Sequence, residues 1–137
     1  MFSNIMVPVD LVHKDRLAKA LAVAGDMAKR HGAKITVVSV GGELPGALGH
    51  KPGEFAATVR AFAEELRATH GAEVEARPII SHDPAVETTA ALMQAIDETG
   101  ADLVIMASHV PGFLEHIFSS HGGYIAQHAP VSVFVVR

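Results

Sequence analysis

The sequence predicts an α/β protein with one open, parallel sheet. Three observations carry that reading. Short apolar runs alternate with longer amphipathic stretches along the chain, glycines fall just past those stretches, and the composition is that of a core-forming domain. A chain of 137 residues, 49% apolar and 19% charged, fits one domain spanning residues 1–137. At this length roughly two-thirds of the unfolded surface is buried on folding, so no covalent or metal staple is needed.

The elements follow in order. Ile5–Val9 is a short apolar run ending at Asp10 and reads as a buried strand. Leu17, Leu21, Ala24 and Ala28 recur at helical spacing, and Gly32 stands where that helix stops. Ile35–Val40 is rich in β-branched residues and reads as the second strand. From Gly41 to Gly53 seven Gly and Pro residues punctuate the chain, which predicts a mobile loop. Phe55, Val59, Phe62 and Leu66 form the second helical stripe, closed near Gly71. Val74–Ile80 is a weaker strand, and Pro78 suits an edge position or an irregular end. Asp83-Pro84 opens a third helix as cap and first residue, with Val86, Ala90, Met93 and Ile96 as its apolar stripe and Gly100 as its stop. Leu103–Met106 is apolar throughout, as in a strand covered on both faces. A broken helical stretch to about His128 and a last strand, Val131–Val136, complete the chain.

Composition excludes several classes. Without Cys there is no disulfide framework, thiolate metal site or thiol nucleophile. Eleven basic against fifteen acidic residues give a net charge of -4, which argues against nucleic acid held through its phosphates. No apolar run reaches the roughly 20 residues needed to span a bilayer. The start, Met1–Met6, lacks the basic region of a signal peptide. A soluble, cytoplasmic protein without membrane partners is the expectation.

Five strands separated by helices make parallel βαβ units with right-handed crossovers, hence a Rossmann-like sheet with helices on both faces. These residues alone do not order the strands. In the order 3-2-1-4-5, the winding reverses between the first and fourth strands, and ligands sit beyond the strand ends at that reversal. Val9-Asp10 and Ala107-Ser108-His109 then flank the site. Asp10 has two readings: an acceptor for a ribose or a base amino group, or a cap for the next turn. A phosphate cradle after Ala107 would want glycines, yet only Gly112 is near, with Gly122-Gly123 further on. Neither G-x-x-x-x-G-K-[ST] nor G-x-G-x-x-G occurs. Ser119-Ser120 can cap the last helix or face an anion, and capping is favoured. Nine histidines, among them His109, His116, His121 and His128, show no close ligand pair, so no metal site is expected. No G-x-S-x-G elbow supports a serine hydrolase.

Read together, these segments resemble the universal stress proteins of the UspA type. The likeness starts at Ile5-Met6-Val7-Pro8-Val9-Asp10 and continues through His31–Val40 and His82-Asp83-Pro84-Ala85. It closes with Gly100–His109 and His128–Arg137, thus covering essentially the whole chain. The resemblance implies the order 3-2-1-4-5 and a homodimer through the C-terminal strand, with Val131, Val133, Phe134, Val135 and Val136 at the interface. That strand is an apolar edge without charge or proline before Arg137, which independently suits pairing with its own copy. Many members hold ATP through Gly, two residues, Gly, nine residues, then Gly-Ser or Gly-Thr. Those positions are here Ala107, Val110, Ser120 and His121, with Ser108 and His109 between the first two, so every defining glycine is replaced. The base-side positions Pro8, Asp10, Val40 and Met106 match the family's adenine and ribose contacts.

The expectation is therefore a regulatory or binding protein of stress response, not an enzyme, without tight ATP binding and with an unidentified protein partner. The alternative is a nucleotide-binding stress protein that holds ATP, AMP or adenosine weakly, with slow ATP hydrolysis. A metal-dependent hydrolase built on the histidines is the third reading, and the absence of a nucleophile–base pair counts against it.

Overall fold

The computed structural model describes residues 1–43, 51–107 and 115–137, the stretch 115–121 by its backbone alone. The elements are β1 (Asn4–Pro8), a 3₁₀ segment (Leu11–Leu17), α1 (Ala18–His31), β2 (Lys34–Gly42), α2 (Pro52–His70), β3 (Val74–Ser81), α3 (Pro84–Thr99), β4 (Leu103–Ala107), α4 (Glu115–His128) and β5 (Ser132–Val136). All neighbouring strands are parallel, in the order β3-β2-β1-β4-β5. The expected topology is the observed one.

Two cores lie on opposite faces of the sheet. Ile5, Val7, Ile35, Val37, Leu103 and Ile105 pack under α1 and α2, against Leu21, Ala24, Val59 and Phe62. The alternate residues Met6, Val38, Val104 and Met106 pack under α3 and α4, against Leu92, Ala95, Ile96 and Ile125. The period of two sends successive side chains to opposite faces, which is why β4 is buried at every residue. Gly32, Gly71 and Gly100 end α1, α2 and α3 with φ of 65°, 65° and 63°, a left-handed turn in which glycine avoids the Cβ penalty.

Four local expectations are corrected. Gly41 and Gly42 belong to β2, while Pro52 and Gly53 open α2, so the glycine-rich loop is shorter than its composition implied; residues 44–50 lie outside the described ones. In α3 the buried face is Leu92, Ala95 and Ile96, whereas Val86 is 74% exposed and Ala90 also faces solvent. Ile96 of the expected stripe is buried and Met93 packs beside it, so the stripe holds in the C-terminal half of α3 and fails only at Val86 and Ala90. Asp83 stands at the N-cap of α3, but its side chain caps nothing. Instead the buried Ser81 hydroxyl accepts from the Asp83 N–H at 3.2 Å and donates to the Glu87 carboxylate. That hydroxyl, helped by the Asp83 N–H, holds the Glu87 carboxyl below its usual range. The stabilisation is present above the unfolded pKa and is lost as pH falls through the lowered one. Finally, Ser119 and Ser120 lie inside α4, not at its cap, because the helix begins at Glu115.

The two sheet edges differ. The Ile35 N–H donates to the Glu73 carbonyl, so odd-numbered residues of β3 face β2 and even-numbered ones face outward. On that outward row Pro78 has no N–H, and the Val74 carbonyl is taken by Arg67 Nη2 at 2.8 Å. The β3 edge is blunted. On β5 the outward main-chain groups are those of Val133 and Val135, with no proline among them. Phe134 and Val135 beside them are 44% and 37% exposed, while Val136 is buried in the core.

Candidate functional site

The reversal of winding sets the C-terminal ends of β1 and β4 side by side, and one proline ends their ladder. The Val9 N–H donates to the Val38 carbonyl at 2.9 Å, so Val7 and Val9 face β2, and Met6 and Pro8 face β4. The β1–β4 register covers Ile5↔Leu103 and Met6↔Val104. The next bond would run from the residue 8 N–H to the Ile105 carbonyl, and Pro8 has no N–H to give. The β1–β2 register by contrast continues to Pro8↔Val38.

Beyond that last pair lies Val40, whose N–H and C=O fall on the row of β2 that faces β1. A donor and an acceptor of the main chain thus look out past the end of β1. Apolar walls stand nearby: Val9, Met106 and Ala107 are buried, and Val40 is half-buried. Gly122 of α4 packs onto Met106, since a Cβ there would lie 3.6 Å from the Met106 Cε.

Asp10 caps the 3₁₀ segment. Its Oδ1 accepts from the Val12 N–H at 3.1 Å, and its Oδ2 lies 3.0 Å from His13 Nδ1. The capping role read from the sequence is present, and 30% of the side chain stays accessible at the strand end. Asp10→Ala is expected to cost about 1 kcal/mol of stability, read as a small fall in Tm.

His13 was not singled out by sequence reasoning. The signal that would have found it is its place three residues after a strand-end Asp, within reach of the capping carboxylate.

The structure brings together Pro8, Asp10, Val40, Met106 and Ala107 around the ends of β1, β2 and β4. Ser108, His109 and Val110 lie outside the described residues. Ser120 and His121 lie more than one turn into α4. Their N–H groups therefore belong to the helix ladder and not to the free donors of its first turn. Among the described residues no group of three His, Cys, Asp or Glu side chains is placed to hold a metal ion. No described helix is long and apolar enough to cross a membrane.

The sequence pattern of the universal stress protein family matches residues 1–137. The chain belongs to the universal stress protein family. Universal stress protein G of Salmonella typhimurium is 30% identical over 148 residues, covering 100% of both chains. Among solved structures, a universal stress protein in complex with cAMP superposes with a TM-score of 0.72 at 19% identity, over 99% of this chain and 97% of that one. A universal stress protein from Archaeoglobus fulgidus in complex with dAMP gives a TM-score of 0.70 at 21% identity, over 98% of each chain. At these identities the superpositions show a shared universal stress protein fold. The crevice at the ends of β1 and β4 is the reversal point of that fold.

Proposed function

We propose that this chain is a non-catalytic, homodimeric binding protein of stress response, and that its crevice holds the adenosine part of an adenine mononucleotide without gripping a triphosphate. The observation that carries the reading is the main-chain edge of Val40. An N–H and a C=O side by side complement the ring nitrogen and exocyclic amine on the pairing edge of adenine. Val9, Val40 and Met106 supply apolar surface for the flat base, and Asp10 supplies an acceptor for sugar hydroxyls or an amine.

The phosphate end supports only a light hold. The family's glycine positions are Ala107, Val110 and Ser120 here, which costs close backbone approach to phosphate oxygens. The ligands named for the two relatives, cAMP and dAMP, each carry one phosphate. The dimer reading rests on the contrast between the blunted β3 edge and the open β5 edge.

Calorimetric titration tests the ligand. AMP is expected to bind with a Kd in the micromolar to millimolar range, and ATP·Mg²⁺ no more tightly. ATP incubated with the protein is expected to release no phosphate above background. Asp10→Ala is expected to remove AMP binding. ATP binding at least tenfold tighter than AMP, or no binding of either, would overturn the reading.

A further inference from the structure

We infer that His13 is a positioning residue of the crevice, fixing the Asp10 carboxylate in its acceptor orientation before a ligand arrives; this rests on the nucleoside reading of the same crevice. A carboxylate only accepts hydrogen bonds, so the 3.0 Å contact requires the proton of neutral His13 to sit on Nδ1. The Val12 N–H holds the other oxygen at 3.1 Å. Both oxygens are thus oriented by the chain's own turn, and each keeps a further lone pair for a ligand hydroxyl or amine. An acceptor held in this way loses little conformational freedom on binding.

The local backbone marks His13 as more than a passer-by. Its φ of −118° and ψ of 33° interrupt the helical geometry of Leu11–Leu17. At this kink the imidazole lies against Asp10 with its side chain 29% exposed, while the neighbouring Val12 is 54% exposed. Hydrophobic burial alone would favour the reverse arrangement, with valine inside and histidine outside. Leu11 and Leu17 are the residues that anchor the segment to the core. A break in the ordinary rule beside a candidate site is where functional constraint is expected.

His13→Asn separates positioning from other roles, because the Asn amide nitrogen can stand where Nδ1 stands. In AMP titrations His13→Ala is expected to weaken binding roughly three- to tenfold, because the ligand must then order the freed Asp10 carboxylate itself. His13→Asn is expected to stay within about twofold of the parent. In the Asp10→Ala background, His13→Ala is expected to leave the fold as stable as Asp10→Ala alone, since the partner is already gone. Equal losses for His13→Ala and His13→Asn would overturn the inference, as would no loss for His13→Ala.

A second readout needs no ligand. Imidazole ¹⁵N shifts at pH 8 are expected to show the His13 proton on Nδ1 in the parent and a shift toward Nε2 in Asp10→Ala. A parent protonated on Nε2 overturns the inference even if AMP binds. A parent protonated on Nδ1 upholds the contact even if AMP does not bind, in which case the nucleoside reading is what fails.

Discussion

Gly41→Val is expected to destabilise the fold by about 2 kcal/mol, the typical cost of overpacking a core, with a fall in Tm of roughly 6–10 °C. Intrinsic preference points the other way. Gly41 lies in β2 opposite Ile80, its φ is not positive, and valine suits a strand better than glycine. Sterics reverse the sign. The Phe55 ring lies flat against the Gly41 backbone, so a Cβ there would meet ring carbons at 2.8, 2.9 and 2.9 Å. Phe55 is itself buried in the core under α1 and α2, and cannot swing away without exposing apolar surface or displacing its neighbours.

Two companions make the result interpretable. Gly41→Val combined with Phe55→Leu is expected to recover at least about 1 kcal/mol relative to additivity, since the two sites touch. Gly123→Ala, inside α4 with nothing within 4 Å of the added carbon, is expected to stabilise by up to about 1 kcal/mol through helix propensity. Denaturant unfolding reads all of these. A Gly41→Val protein as stable as the parent would show that the ring does not rest on the strand.

Gly41 also shows where the sequence was legible and where it was not. Strands were readable because each is a short apolar run, and the stops at Gly32, Gly71 and Gly100 were readable because only a left-handed turn is needed there. At Gly41 the same residue type serves a close approach of an aromatic ring, a reason that lies in a distant helix and leaves no local mark. The glycine-rich stretch was therefore read as loop two residues too early and two too late. In α3 the stripe was read correctly at Met93 and Ile96 but extended too far toward the N-terminus, where Val86 is exposed. At the site, Val9 and Asp10 were legible from their place at a strand end, and Pro8 from the family resemblance. Val40 and Met106 were reached through the family resemblance, while the main-chain edge that Val40 offers follows from the strand register. His13 depends on a kinked turn that no periodicity announces.

The largest effect expected on assembly comes from Val135→Glu, which should convert the proposed homodimer to monomer at micromolar concentration. In the antiparallel two-fold pairing of β5 with its copy, the outward N–H and C=O groups of Val133 and Val135 form the new ladder. Side chains facing each other across such a pair lie about 5 Å apart, and a two-fold axis gives every introduced charge a like charge on the partner. Removing that carboxylate pair from water is expected to cost several kcal/mol, enough to raise the dissociation constant more than a hundredfold. The monomer should survive, because Val135 is already 37% exposed before any pairing. Ile80→Glu is a matched control. Ile80 is likewise 37% exposed and stands on the outward row of the opposite edge, β3. There Pro78 withholds a donor and Arg67 occupies the Val74 carbonyl, so a second copy finds an interrupted ladder. Sedimentation velocity should therefore show dimers for the parent and for Ile80→Glu, and monomers for Val135→Glu. A parent that sediments as a monomer, or a dimer split by Ile80→Glu and untouched by Val135→Glu, would move the interface away from β5.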